Sequence, residues 1–277
     1  MVSCLSKYKF QQIISMIIVV LLIFFRFPYI ILPRLIGHTN NATLTYIVCD
    51  ATYVLSACFF IFNSKTLHEY NIHGDSMLIF ILAPIITPLT YYILTPLVPL
   101  KPPAHYYYIQ IITALILTIF IAITKVKFRR YKIKALILWT LASIVIGFII
   151  GGSLGYIIGI NNKNRYYSAS FPTFIYLFVT QLSNAAVIEE PLFRGILWGM
   201  LKKLKLRDSL ILLIQGLLFW LAHIYYIIQN PISFWIIVPI CSIVLGWVVL
   251  KSKNIGTSMI VHAIINSFGN MVSSFKF

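Results

Sequence analysis

Charge is what this chain has least of. Asp, Glu, Lys and Arg make up 10% of its 277 residues, against about a quarter in soluble domains, and only six residues are acidic. With a mean hydropathy of +0.91, it is not built to face water. Cysteine is scarce as well. Cys4, Cys49, Cys58 and Cys241 stand far apart with no CxxC spacing, which excludes a disulfide framework and a zinc knuckle. Cys49, Cys58 and Cys241 fall in apolar runs, where the thiol acts as a small hydrophobe. The short alternating strands of an outer-membrane barrel are missing. So are the GxSxG of a serine hydrolase and the HExxH of a zinc protease.

Long apolar runs are present throughout. Nine candidate spans can be marked: roughly 11–25, 43–62, 77–99, 106–124, 135–160, 171–200, 209–229, 232–250 and 255–273. The expected fold is all-α, a polytopic transmembrane helix bundle of about eight or nine spans with a cytoplasmic N-terminus. The basic opening, followed by an apolar run and no small-x-small cleavage site, reads as a retained first helix rather than a removed signal. Pro84, Pro88 and Pro96 predict a kinked or broken third span.

The basic residues test this topology. Fifteen of the 22 fall in segments assigned to the cytoplasm: Lys7, Lys9, Lys65, Lys125, Lys127, Arg129, Arg130, Lys132, Lys134, Lys202, Lys203, Lys205, Arg207, Lys251 and Lys253. Six fall outside, at Arg26, Arg34, Lys101, Lys163, Arg165 and Lys276, and Arg194 lies within a span. That bias is the positive-inside pattern. It accounts for the net charge of +16 through topology and anionic lipid, and no nucleic-acid partner is implied.

A charge at membrane depth costs roughly 3 kcal/mol on insertion scales, so it usually faces a cavity. Glu69, Asp75 and Asp208 lie in expected loops, and His38, His68, His73 and His105 lie in or beside loops. Asp50 lies in the second span and is expected near a helix end or paired across helices. The remaining costly groups share three spans: Glu189, Glu190 and Arg194 in the sixth, His223 in the seventh, and His262 with Asn266 in the last. Glu190–Arg194, Phe219–His223 and His262–Asn266 are each four residues apart, which stacks each pair on one helix face. If the sixth helix continues to Lys203, Glu189 stands 14 residues before its end. His223 stands 14 after the next begins at Ser209, so the two share a depth on the order of 20 Å. His262 is only nine residues past Lys253, which calls for a tilted or partly broken last helix.

These groups supply the parts for water attack on an amide. A carboxylate and an imidazole polarise the water, and a second imidazole with a side-chain amide stabilises the oxyanion. Arg194 neutralises Glu190, leaving Glu189 to work. Pro191 removes a backbone donor and is expected to bend the helix beside them. Other readings stand beside this one. The acidic pair and Arg194 can form a purely structural ion-pair cluster. His223, His262 and Asn266, taken singly, can bridge helices. Trp198, Phe219 and Trp220 suit packing or interface anchors. An intramembrane Glu–His relay also suits a proton-coupled carrier, although no internal repeat is visible. Glu189, His223 and His262 could bind zinc.

"EEPLFR" (Glu189 to Arg194), "FWLAH" (Phe219 to His223) and "HAIIN" (His262 to Asn266) resemble, in order, the EExxxR, FxxxH and HxxxN/D motifs of the CAAX protease and bacteriocin-processing family. That family, also called CPBP or Abi, comprises intramembrane glutamic endopeptidases. The resemblance covers roughly residues 135–273, which makes 135–277 the protease-like core and leaves 1–134 as N-terminal helices of unassigned role. It implies that Glu189 is the general base and that His223 is its water-activating partner. It also implies that His262 and Asn266 stabilise the oxyanion, while Glu190, Arg194 and Phe219 support the site, with no cofactor and no metal. The implied partners are the lipid bilayer and a membrane-associated peptide or protein: a bacteriocin, a peptide-signal precursor or a CaaX-like tail. Self-immunity to a bacteriocin occurs among such proteins, and a non-proteolytic immunity or scaffold protein that keeps the motif helices is the alternative reading. The Ile-, Lys-, Asn- and Tyr-rich composition suggests a bacterial plasma membrane.

Overall fold

The computed structural model describes residues 13–22, 42–100, 107–129, 131–161, 170–224 and 226–274. The ends of the first span, the loop charges Lys7, Lys9, Arg26, Arg34, Lys101, Arg130, Lys163, Arg165 and Lys276, and Cys4, His38 and His105 lie outside them. The described residues form a bundle of helices with no strand. In chain order these are α1 (Ile13–Leu22), α2 (Ala42–Phe62), α3 (Gly74–Leu94), α4 (Tyr107–Thr124), α5 (Ile133–Asn161), α6 (Phe171–Lys203), α7 (Asp208–Leu221), α8 (Tyr226–Gln229), α9 (Ser233–Ser252) and α10 (Ile255–Val272). By length and composition α3, α4, α5, α6 and α9 can cross a membrane. The protein is a multi-pass helical membrane bundle, as its composition requires.

The third span does not break at its prolines. α3 runs from Gly74 to Leu94 with Pro84 and Pro88 inside it, ending just before Pro96. Pro84 has no N–H to offer the carbonyl four residues earlier, that of Phe80. The Tyr53 hydroxyl of α2 donates to that carbonyl at 2.7 Å instead, and the Tyr53 and Phe80 rings stack with centroids 4.2 Å apart. The lost backbone bond is thus replaced from a neighbouring helix.

Two further expectations are corrected. The seventh span is not one helix, because α7 stops at Leu221 and a turn over 222–224 precedes the four-residue α8. The last span is neither partly broken nor interrupted, since α10 is continuous from Ile255 to Val272. Its shallow count is explained by a recessed start. Asn254, fully buried, caps the helix by accepting from Gly256 N at 2.8 Å and donates to Asp75 at 2.7 Å. The Ile255 amide bonds the Asn71 carbonyl at 3.0 Å. α10 therefore begins beneath the 67–76 segment rather than at the edge of the bundle, and nine residues suffice to reach the level of the glutamates.

Asp50 also differs from expectation. It lies inside α2, and its Oδ1 has no hydrogen-bond partner. Of the two roles expected for Trp198, it takes packing, as one of the largest fully buried side chains.

α5 packs on α10 through Gly147, Gly151 and Gly155, four residues apart on one face. A Cβ at Gly151 would come within 2.9 Å of the Ile265 carbonyl oxygen, and one at Gly155 within 2.5 Å of that of Gly269. Small residues at this spacing let membrane helices approach backbone to backbone. That close approach fixes α10, and with it His262 and Asn266.

The expected cytoplasmic segments meet at one end of the bundle. His73 Nε2 lies 3.0 Å from the Lys253 carbonyl, and Tyr131 donates to the Ser252 carbonyl. Lys203 reaches Tyr70 at 2.7 Å and Glu69 at 3.1 Å, and Lys253 reaches Asp208 at 3.2 Å.

Candidate active site

α6 is not a uniform α-helix. It widens into π-turns over Leu182–Ala186 and Pro191–Leu197, and the four residues Val187–Glu190 between them carry both glutamates. The expected bend at Pro191 takes this form, because a wider turn accommodates a ring that would clash with the carbonyl four residues back.

Glu190 and Arg194 are both completely buried. The guanidinium Nη1 donates to Glu190 Oε1 at 3.1 Å and Nη2 to the Ser242 carbonyl at 3.4 Å. The Arg194 guanidinium carbon also stands 4.0 Å from the centroid of the Phe219 ring, a cation–π contact.

Glu190 has more partners than the sequence assigned to it. Its Oε1 accepts from His262 Nδ1 at 2.8 Å, and Ser258, one turn earlier on α10, donates to Oε2. Since a carboxylate can only accept, the His262 proton sits on Nδ1, and Nε2 is turned toward Glu189 at 3.9 Å from Oε2.

His223 is oriented by a different device. The end of α7 leaves carbonyls without helical donors, and that of Phe219 accepts from His223 Nδ1 at 2.8 Å. This places the Nδ1 proton and turns Nε2 to 3.7 Å from Glu189 Oε1. Glu189 therefore lies between the Nε2 atoms of two imidazoles fixed from behind by hydrogen bonds. Both separations exceed a direct hydrogen bond and leave room for a third group to bond on either side.

Glu189, His223, His262 and Asn266 all line one cavity of about 440 Å³. Gln181 and Asn184 line it too, and neither was singled out from the sequence. Asn266 Nδ2 donates to Gln181 Oε1 at 3.0 Å, and Tyr107 of α4 donates to Asn184. Thr87 of α3 bonds Ser183 at 2.6 Å and the Val179 carbonyl at 3.2 Å. Helices α3 and α4 thus grip the first π-turn, and Val48 and Cys49 of α2 close part of the cavity wall. The missed residues are uncharged amides and hydroxyls, and a search for costly charges passes over them. Ser258 did carry a signal: it continues the four-residue stripe of His262 and Asn266 by one turn.

Among the described residues no group of three or more His, Cys, Asp or Glu side chains is gathered closely enough to hold a metal ion.

Neither the curated proteins nor the solved structures contain a match to this chain. A family model does match: residues 171–268, from the first residue of α6 to within a few residues of the end of α10, fit the description "Type II CAAX prenyl endopeptidase Rce1-like". The matched region contains the two π-turns, the glutamate pair, both oriented histidines and Asn266, while α1 to α5 lie outside it. Over these residues, about a third of the chain, the protein is similar to the CAAX protease and bacteriocin-processing family of membrane endopeptidases.

Proposed function

We propose that this protein is an intramembrane glutamic endopeptidase that hydrolyses a peptide bond in a membrane-associated peptide. The observation that carries this reading is the position of the Glu189 carboxylate between two imidazole Nε2 atoms, at 3.7 and 3.9 Å, on the wall of a cavity. A water there donates one hydrogen to Glu189 and the other to His223 Nε2, which leaves a lone pair for the scissile carbonyl. As water oxygen bonds to the carbonyl carbon, Glu189 takes its proton and later returns it to the leaving nitrogen.

The tetrahedral oxyanion is met by His262 and Asn266. For His262 Nε2 to donate, the ring must be protonated on both nitrogens, and Glu190 behind Nδ1 balances that charge. Glu189, Glu190, Arg194 and an imidazolium at position 262 together sum to zero, which suits a buried site. Asn266, held by Gln181, supplies an amide donor.

Residues 135–277 form the protease core in this reading, and residues 1–134 form a support that shapes the first π-turn of α6. The N-terminus is cytoplasmic, and the bilayer is a bacterial plasma membrane. The substrate is a bacteriocin, a peptide-signal precursor or a CaaX-like tail.

The decisive experiment compares membrane peptides by mass spectrometry in cells carrying wild type and Glu189→Gln. Precursors accumulate and cleaved products disappear in the variant. Identical peptide profiles at equal protein levels refute the protease and favour an immunity or scaffold role.

A further inference from the structure

A second cavity, of about 420 Å³, shares no residue with the first. Lys65, His68, Lys127 and Arg129 line it, together with apolar Ile72 and Phe128. Its cations come from two segments far apart in sequence. Lys65 stands three residues beyond the end of α2 at Phe62, and Lys127 three beyond the end of α4 at Thr124. Where two membrane helices end, the residues just beyond them sit at headgroup depth.

Among the described residues no carboxylate pairs with these cations. All six acidic residues are described. Glu69 pairs with Lys203 at 3.1 Å, Asp75 accepts from Asn254 at 2.7 Å, and Asp208 pairs with Lys253 at 3.2 Å. Glu189 and Glu190 belong to the site above, and Asp50 is inside α2. Among the described residues none forms an ion pair with Lys65, Lys127 or Arg129. Cations scattered over a surface are neutralised by solvent and salt. Three brought to one pocket with no counter-charge call for an anion from outside.

The apolar lining narrows the choice. Ile72 is almost fully buried and packs toward Gly195 of α6, so the pocket joins an apolar base to a ring of exposed cations. A ligand with a phosphate and a hydrocarbon part fits both. We infer that this pocket binds the phosphodiester headgroup of an anionic lipid, with Lys65, Lys127 and Arg129 on the phosphate and Ile72 and Phe128 against the glycerol and upper acyl carbons. Basic pockets between helices at the basic end of a membrane protein are suited to such headgroups.

The test is native mass spectrometry of the full chain in neutral detergent, titrated with phosphatidylglycerol, phosphatidylcholine or inorganic phosphate. The wild type retains a single phosphatidylglycerol and holds phosphatidylcholine at least about tenfold more weakly. Lys65→Gln/Lys127→Gln/Arg129→Gln lowers phosphatidylglycerol retention by at least about tenfold. Lys132→Gln/Lys134→Gln/Lys205→Gln removes the same charge from exposed positions outside the pocket and leaves retention unchanged. Thermal melting confirms that both variants are folded. An equal loss in the two variants reduces the effect to diffuse surface charge and overturns the site. Displacement of the lipid by an equal concentration of inorganic phosphate overturns the lipid assignment.

Discussion

His262 Nδ1 lies 2.8 Å from Glu190 Oε1, the same oxygen that accepts from Arg194 at 3.1 Å. One carboxylate therefore anchors a guanidinium on its own helix and an imidazole on α10. This gives Glu190 a part beyond neutralising Arg194, since it ties the two motif helices together and sets which nitrogen of His262 faces Glu189.

The buried network implies non-additive stability. Arg194→Met strips a fully buried carboxylate of its strongest partner and costs about 3–5 kcal/mol. Glu190→Met strands the guanidinium at similar cost. The double variant Glu190→Met/Arg194→Met loses less than the sum of the two singles, because no uncompensated charge is left. Thermal unfolding in detergent reads this directly, and strictly additive losses would remove the architectural role of the pair.

Glu189 approaches the two imidazole Nε2 atoms at 3.7 and 3.9 Å. Glu189→Gln is expected to lower cleavage by about 10²–10⁴-fold while membrane abundance and melting temperature stay at wild-type values. A well-expressed Glu189→Gln protein with normal turnover refutes the glutamate mechanism.

Asn266 and Gln181 separate a donor from its support. Asn266→Ala removes the amide and lowers kcat by about 10²–10³-fold. Gln181→Leu leaves the amide present but untethered. Its cost is one hydrogen bond, about 1 kcal/mol or about fivefold in kcat, with KM nearly unchanged. Glutamate at position 181 keeps the acceptor and restores most of the rate. If Gln181→Leu matched Asn266→Ala, or if Glu failed to rescue it, orientation of Asn266 would not be the function of Gln181.

Helix approach sets the cavity wall. A methyl at Gly155 meets the Gly269 carbonyl at 2.5 Å and Gly269 Cα at 2.9 Å, and backbone cannot swing aside as a side chain can. Gly155→Ala is expected to cost about 1–3 kcal/mol and to lower activity, because Gly155 and Gly269 both line the site. Gly74→Ala, whose nearest contact is Phe128 Cβ at 3.5 Å, is the neutral comparison. Equal melting temperatures for the two variants would show that the α5–α10 approach is not held at these glycines.

The amino-acid sequence by itself determined that the protein is a helical membrane bundle, where most of its helices lie, and which costly side chains share the apolar spans. The reason is that membrane burial is enforced residue by residue. Each charge or imidazole at depth carries a penalty visible without knowledge of its neighbours, so Glu189, Glu190, Arg194, His223 and His262 stand out from composition alone. The partnerships were not legible in this way. That Glu190 would hold His262 and Ser258, that Phe219 would offer a carbonyl to His223, and that Gln181 would hold Asn266 depends on which helices meet and at what level. Those relations follow from the stop of α7 at Leu221, the recessed start of α10 at Asn254, and the π-turns around Val187–Glu190. Tyr53 keeps α3 whole past Pro84 by the same kind of long-range hydrogen bond. A local pattern records what a residue costs, and only the packed helices decide which groups compensate it.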